Sequence, residues 1–170
     1  MKVIRSEIFE TNSSSTHSLV LKGYADKNYM PPGTIVKVEW SDEQIGNLTS
    51  LQEKVSYLVS HIANKYSYNV HTYEDFIDEL KNDYEYRQLE DFLSTLGNGY
   101  RISLPKEPLP FEDEDGEKYN VDIEDLISIN HQLQESCLED VLDSLLMENS
   151  LETKLARVLD PETKIEFGHD

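Results

Sequence analysis

The segment Glu10-Thr11-Asn12-Ser13-Ser14-Ser15-Thr16-His17-Ser18 gathers hydroxyls, an amide and an imidazole into one short stretch. Backbone N–H groups and hydroxyls in such a run can cradle an anion. A serine near His17 also has the composition of a nucleophile with its base. The same side chains serve equally well in a hairpin loop, because Ser, Thr and Asn hydrogen-bond their own backbone in turns. Catalytic dyads are assembled in space, so adjacency in sequence says little, and no GxSxG elbow accompanies the segment. Two readings of Glu10, Asn12, Ser13, Ser14, Ser15, Thr16 and His17 therefore stand. They form either a ligand loop for a phosphate-bearing or nucleotide-like molecule, or a structural turn.

The second chemical feature is carboxylate density. The 170 residues carry 34 acids against 15 bases, a formal charge of −19. The imbalance is uneven along the chain. Residues 1–40 hold four acids and five bases, and residues 41–104 hold eleven acids and five bases. Residues 105–150 hold fourteen acids and only Lys106 and Lys118, a net −12. Nucleic-acid phosphates and anionic lipid repel such a chain, since binding them relies on Lys and Arg releasing counterions. The expected partner is a basic protein, with no direct nucleic-acid or membrane contact. Solubility alone calls for less charge than this.

The acidic residues fall into a loop and a helix face. Glu112, Asp113, Glu114, Asp115 and Glu117 surround Gly116, Asp122, Glu124 and Asp125 follow, and Glu135, Glu139, Asp140 and Asp143 are read as the outer side of a long helix. Carboxylates on a rigid helix can be spaced like phosphates and steered into a basic channel by long-range attraction. The loop does not meet the EF-hand pattern: a third ligand position before the Gly is missing, and Asp122 stands where a bidentate Glu is needed. His17, His61, His71, His131 and His169 show no metal-ligand spacing, and Cys137 is alone, so no metal or cofactor is expected. The lone cysteine also precludes an intramolecular disulfide and suits a reducing cytoplasm. No apolar run reaches the roughly 18–20 residues of a membrane span, and MKVIRSEIFETN lacks a signal-peptide apolar region. A cytoplasmic location is the expectation.

The stretch from Ile4-Arg5 through Ile8-Phe9-Glu10-Thr11-Asn12-Ser13-Ser14-Ser15-Thr16-His17-Ser18 resembles the start of a loose group of uncharacterised bacteriophage and prophage proteins that begin with a similar FETNSSSTHS string. The likeness covers about fifteen of the 170 residues. It implies a viral setting, with the host cytoplasm as location, and a shared role for residues 10–18. It implies no catalytic roles. The combined expectation is a phage-encoded inhibitor that mimics nucleic acid and occupies a basic host protein, for example a CRISPR effector or restriction nuclease. The alternative is an enzyme or small-ligand binder built on the Ser/Thr/His segment.

These surfaces need a frame. The length suits one domain, and ten Tyr, five Phe and one Trp can fill a core although apolar content is only 38%. Val3, Ile4, Ile8 and Phe9 suggest a first strand, Ser18–Lys22 a second, and the alternating Thr34–Trp40 run a third after the Pro31-Pro32-Gly33 turn. Ser50-Leu51-Gln52-Glu53 reads as a capping box, followed by an apolar stripe at Leu51, Val55, Leu58, Val59 and Ile62. Thr72 and Asp75 open a second helix, and a third runs from about Tyr84 to Leu96 with Gly97 as its stop. Tyr100–Leu104 and Tyr119–Ile123 read as short strands. The longest helix is predicted over Asn130–Met147, burying Leu133, Cys137, Leu138, Val141, Leu145 and Leu146. A short helix over Leu151–Leu159 and a strand over Lys164–Phe167 close the chain. The predicted class is α+β, with N-terminal antiparallel strands packed against four or five helices in a single domain.

Overall fold

A computed structural model describes residues 2–4, 15–21, 30–31, 33–40, 47–68, 70–95, 99–108, 111–112, 118–119, 123, 137–146 and 150–169. Helices and short strands mix in the manner of an α+β protein. In chain order they are β1 (Lys2–Ile4), β2 (Ser15–Leu21), β3 (Ile35–Lys37), α1 (Leu51–Ser67), α2 (Tyr73–Asn82), α3 (Tyr84–Thr95), β4 (Arg101–Ser103), β5 (Phe111–Glu112), β6 (Lys118–Tyr119), α4 (Leu138–Leu145), α5 (Leu151–Val158) and β7 (Thr163–His169).

The strands are not an N-terminal sheet, which corrects the sequence expectation. β2 pairs antiparallel with both β1 and the C-terminal β7, so the order is β1-β2-β7, drawn from both ends of the chain. Leu48 joins the outer side of β7 by reciprocal bonds to Ile165, 2.9 Å each way. The run with the best strand pattern goes elsewhere: β3 pairs in parallel with β4, Val36 opposite Ile102, with α1, α2 and α3 in the intervening chain. The alternation of that run is nonetheless expressed, since Val36 and Val38 are buried while Ile35, Lys37 and Glu39 are exposed. A helical crossover is what a parallel pair requires.

α1 is the pillar of the fold. Both halves of its capping box form: Glu53 N–H donates to Ser50 Oγ at 3.1 Å, and Ser50 N–H donates to Glu53 Oε2 at 2.8 Å. The apolar stripe predicts one buried side, yet twelve of the seventeen residues are buried, including Lys54, Ser56, Ser60, His61 and Asn64. The reason is its position, with β3, α2, α3 and α4 all packed against it. One apolar cluster takes in Val36, Leu58, Ile62, Phe76, Leu89, Leu142, Leu155 and Ile165, which come from seven different elements.

Burying Lys54 would be costly without partners. Its ammonium donates to the Asp160 carbonyl at 2.7 Å and to Thr163 Oγ1 at 3.0 Å. The Thr163 hydroxyl in turn lies 3.0 Å from the Val158 carbonyl and 2.8 Å from that of Asp160. The turn between α5 and β7 is thereby fastened to α1. No helix among the described residues is long and apolar enough to cross a membrane.

Candidate functional site

The described carboxylates divide into those consumed by the fold and those left at its surface. α4 belongs mainly to the first group. The helix expected over Asn130–Met147 does not run through Cys137, whose backbone is extended (φ −78°, ψ 167°) and which caps a helix that begins at Leu138 and is ended by the extended Leu146; residues 130–136 and 147 lie outside the described residues. Leu138, Val141, Leu142, Leu145 and Leu146 are all buried, so the predicted apolar face holds C-terminal to the break. Cys137 itself is only half-buried and is not a core residue. Burial, together with the carboxylates of Asp140 and Glu85, pushes its thiol above the usual range and makes it a poor nucleophile.

Each described acid on α4 has a structural partner. Asp140 accepts the Cys137 N–H at 3.3 Å and closes the cap. Asp143 forms an ion pair with Lys154 of α5, and Glu139 approaches the same ammonium at 3.6 Å. The Lys154 side chain is 4% exposed, whereas Glu139 and Asp143 are 63% and 54% exposed. The bond to Asp143 and the nearby Glu139 hold the Lys154 amine above its ordinary range. Glu139 and Asp143 therefore face solvent, but they share a buried positive charge.

A second network joins three helices at the end of α1. Asp83 ends α2 and caps α3, its Oδ1 accepting the N–H groups of Glu85 (2.7 Å) and Tyr86 (3.0 Å). The other carboxylate oxygen accepts from the Tyr66 hydroxyl at 2.6 Å and lies 3.4 Å from the Lys65 ammonium. Burial alone would raise the Asp83 pKa, but these donors and Lys65 outweigh it and hold the group below the normal carboxylate range. Burial likewise depresses Lys65, and Glu85 and Asp83 reverse the effect and raise it. Glu85 also pairs with Lys65 and accepts the Leu138 N–H at 2.9 Å, so it caps α4 from another helix.

The second group lies on α2 and α3. Glu74, Asp75, Asp78, Glu79, Glu90 and Asp91 are exposed. Asp75 accepts from the Thr72 hydroxyl at 2.6 Å at the start of α2. No base among the described residues forms an ion pair with Glu74, Asp78, Glu79, Glu90 or Asp91. Lys81 and Arg87 are the exposed bases on the same two helices, and Arg87 is bonded to Asn82 and the Lys81 carbonyl. Glu74 with Asp78 and Asp75 with Glu79 are i,i+4 pairs, about 5–6 Å apart at Cβ, and like charges at that spacing destabilise a helix slightly. The net −6 over residues 41–104 does not by itself resolve this surface. The signal that finds it is the pair of acidic doublets Glu74-Asp75 and Asp78-Glu79 around the buried Phe76 and Leu80.

Other sequence candidates are scattered. Ser15, Thr16 and His17 belong to β2, opposite His169, Gly168 and Phe167 of β7, so these three are strand residues. Glu10, Asn12, Ser13 and Ser14 lie outside the described residues. Glu112 is in β5 opposite Lys118 of the antiparallel β6. Asp113, Glu114, Asp115, Glu117, Asp122, Glu124, Asp125 and Glu135 lie outside the described residues, as do Gly97 and Leu133. Among the described residues, no group of three or more His, Cys, Asp or Glu could hold a metal ion. The chain matches no protein-family model, curated protein or solved structure.

Proposed function

We propose that this protein is a phage-encoded inhibitor that binds a basic, nucleic-acid-binding host protein, its carboxylates standing in for phosphates. A defence nuclease, such as a CRISPR effector or restriction enzyme, is the type of target that fits. The observation that carries the reading is the group of exposed carboxylates on α2 and α3 that form no ion pair with a described base. It adds to a total charge of −19 and to the acidic stretch at 105–150. The contact surface is accordingly extended from the 112–143 region to Glu74, Asp78, Glu79, Glu90 and Asp91. Glu139 and Asp143 are weaker contributors because Lys154 already draws on their charge.

The test is affinity purification of tagged protein from host lysate, with mass spectrometry of what is retained and elution along a salt gradient. A basic nucleic-acid enzyme released as salt rises supports the proposal, since screening weakens exposed charge contacts. Retention that does not change with salt overturns it. A co-purified small molecule without a protein partner would favour the alternative centred on residues 10–17.

A further inference from the structure

We draw no further inference here: the strongest candidate, the edge of β3 away from β4, where Ile35 is 46% exposed and no strand among the described residues pairs, carries nothing because nothing in the structure shows what covers it.

Discussion

Glu85 on α3 accepts the backbone N–H of Leu138, the first residue of α4, at 2.9 Å across 53 residues of sequence. A helix begins with N–H groups that have no partner within the helix, and here a carboxylate from another helix supplies one. Negative charge at that end is also favoured by the helix dipole. The same side chain pairs with Lys65 of α1, so one carboxylate fixes the spacing of α1, α3 and α4. Glu85→Ala is expected to cost about 1.5–3 kcal/mol, the range for hydrogen bonds to charged groups. Glu85→Gln, which keeps an acceptor, should cost less. Urea denaturation measures both, and an alanine variant within about 0.5 kcal/mol of the parent would remove the argument.

Lys154 inverts the usual relation between a lysine and its carboxylates. The ammonium is buried and the acids are at the surface. Asp143→Ala leaves a buried cation with only Glu139 nearby and is expected to cost about 1–2 kcal/mol, less than a fully buried pair because the acid is half in water. Lys154→Met removes the charge and keeps the length, so it should cost less than Asp143→Ala despite deleting the same pair. The reverse order in chemical denaturation would show that the pair, and not the stranded charge, carries the energy.

The Asp83 network predicts a defined pH window. Asp83 is depressed in the folded state, so its contribution is present above its unfolded value, about 3.9, and is lost as pH falls through the lower folded value. Lys65 is raised, so its contribution is complete below about 10.4 and is lost only as pH rises through its higher folded value. The stability difference between the parent and Asp83→Ala should therefore be flat from about pH 5 to 9 and shrink below pH 4. At neutral pH about 2 kcal/mol is expected, combining the lost cap with the lost Tyr66 bond. A difference that grows on acidification contradicts the assignment.

How far the fold could be read depended on the range over which each instruction acts. Ser50 and Glu53 write both halves of the α1 cap within one turn, and the Thr72 hydroxyl accepts the Asp75 N–H at the start of α2, so those boundaries were legible. The break at Cys137 was not. Leu133, Cys137, Leu138, Val141 and Leu145 follow one helical pattern, and the partner that starts α4 at Leu138 is Glu85, far away in sequence. The same holds for the sheets, where β3, packed on α1, takes β4, and β2 and β7, packed on α4 and α5, take each other, choices invisible in local alternation. Charge had the opposite character: its amount was plain, but which acids are engaged was not. Lys154 and Lys65, each buried or half-buried, determine that, and nothing local distinguishes them from surface lysines.

Gly99 offers a backbone test of the α3–β4 joint. Its φ is +84°, and a Cβ there would sit 2.9 Å from the Ser94 carbonyl oxygen. The next residue, Tyr100, donates its N–H to the Leu93 carbonyl at 2.9 Å and is buried, which holds the chain at Gly99 against the end of α3. Gly99→Ala is expected to destabilise by about 1–3 kcal/mol. Thermal or urea unfolding within 0.5 kcal/mol of the parent would mean the turn adjusts freely.

The proposed surface is tested by separating charge from folding. Glu74, Asp78, Glu79, Glu90 and Asp91 are exposed, while Asp75 is left alone because its carboxylate accepts from the Thr72 hydroxyl at the start of α2. The variant E74Q/D78N/E79Q/E90Q/D91N removes five charges at positions where single changes typically move stability by less than about 0.5 kcal/mol each. It should therefore fold like the parent by circular dichroism and urea denaturation. A basic partner captured from host lysate should elute from it at clearly lower salt, because long-range attraction follows net charge. Alanine at Ser13, Ser14, Ser15 and His17 should leave that elution unchanged. If the alanine variant loses the partner and the neutralised variant keeps it, the binding surface lies at the N-terminal segment and the acidic reading fails.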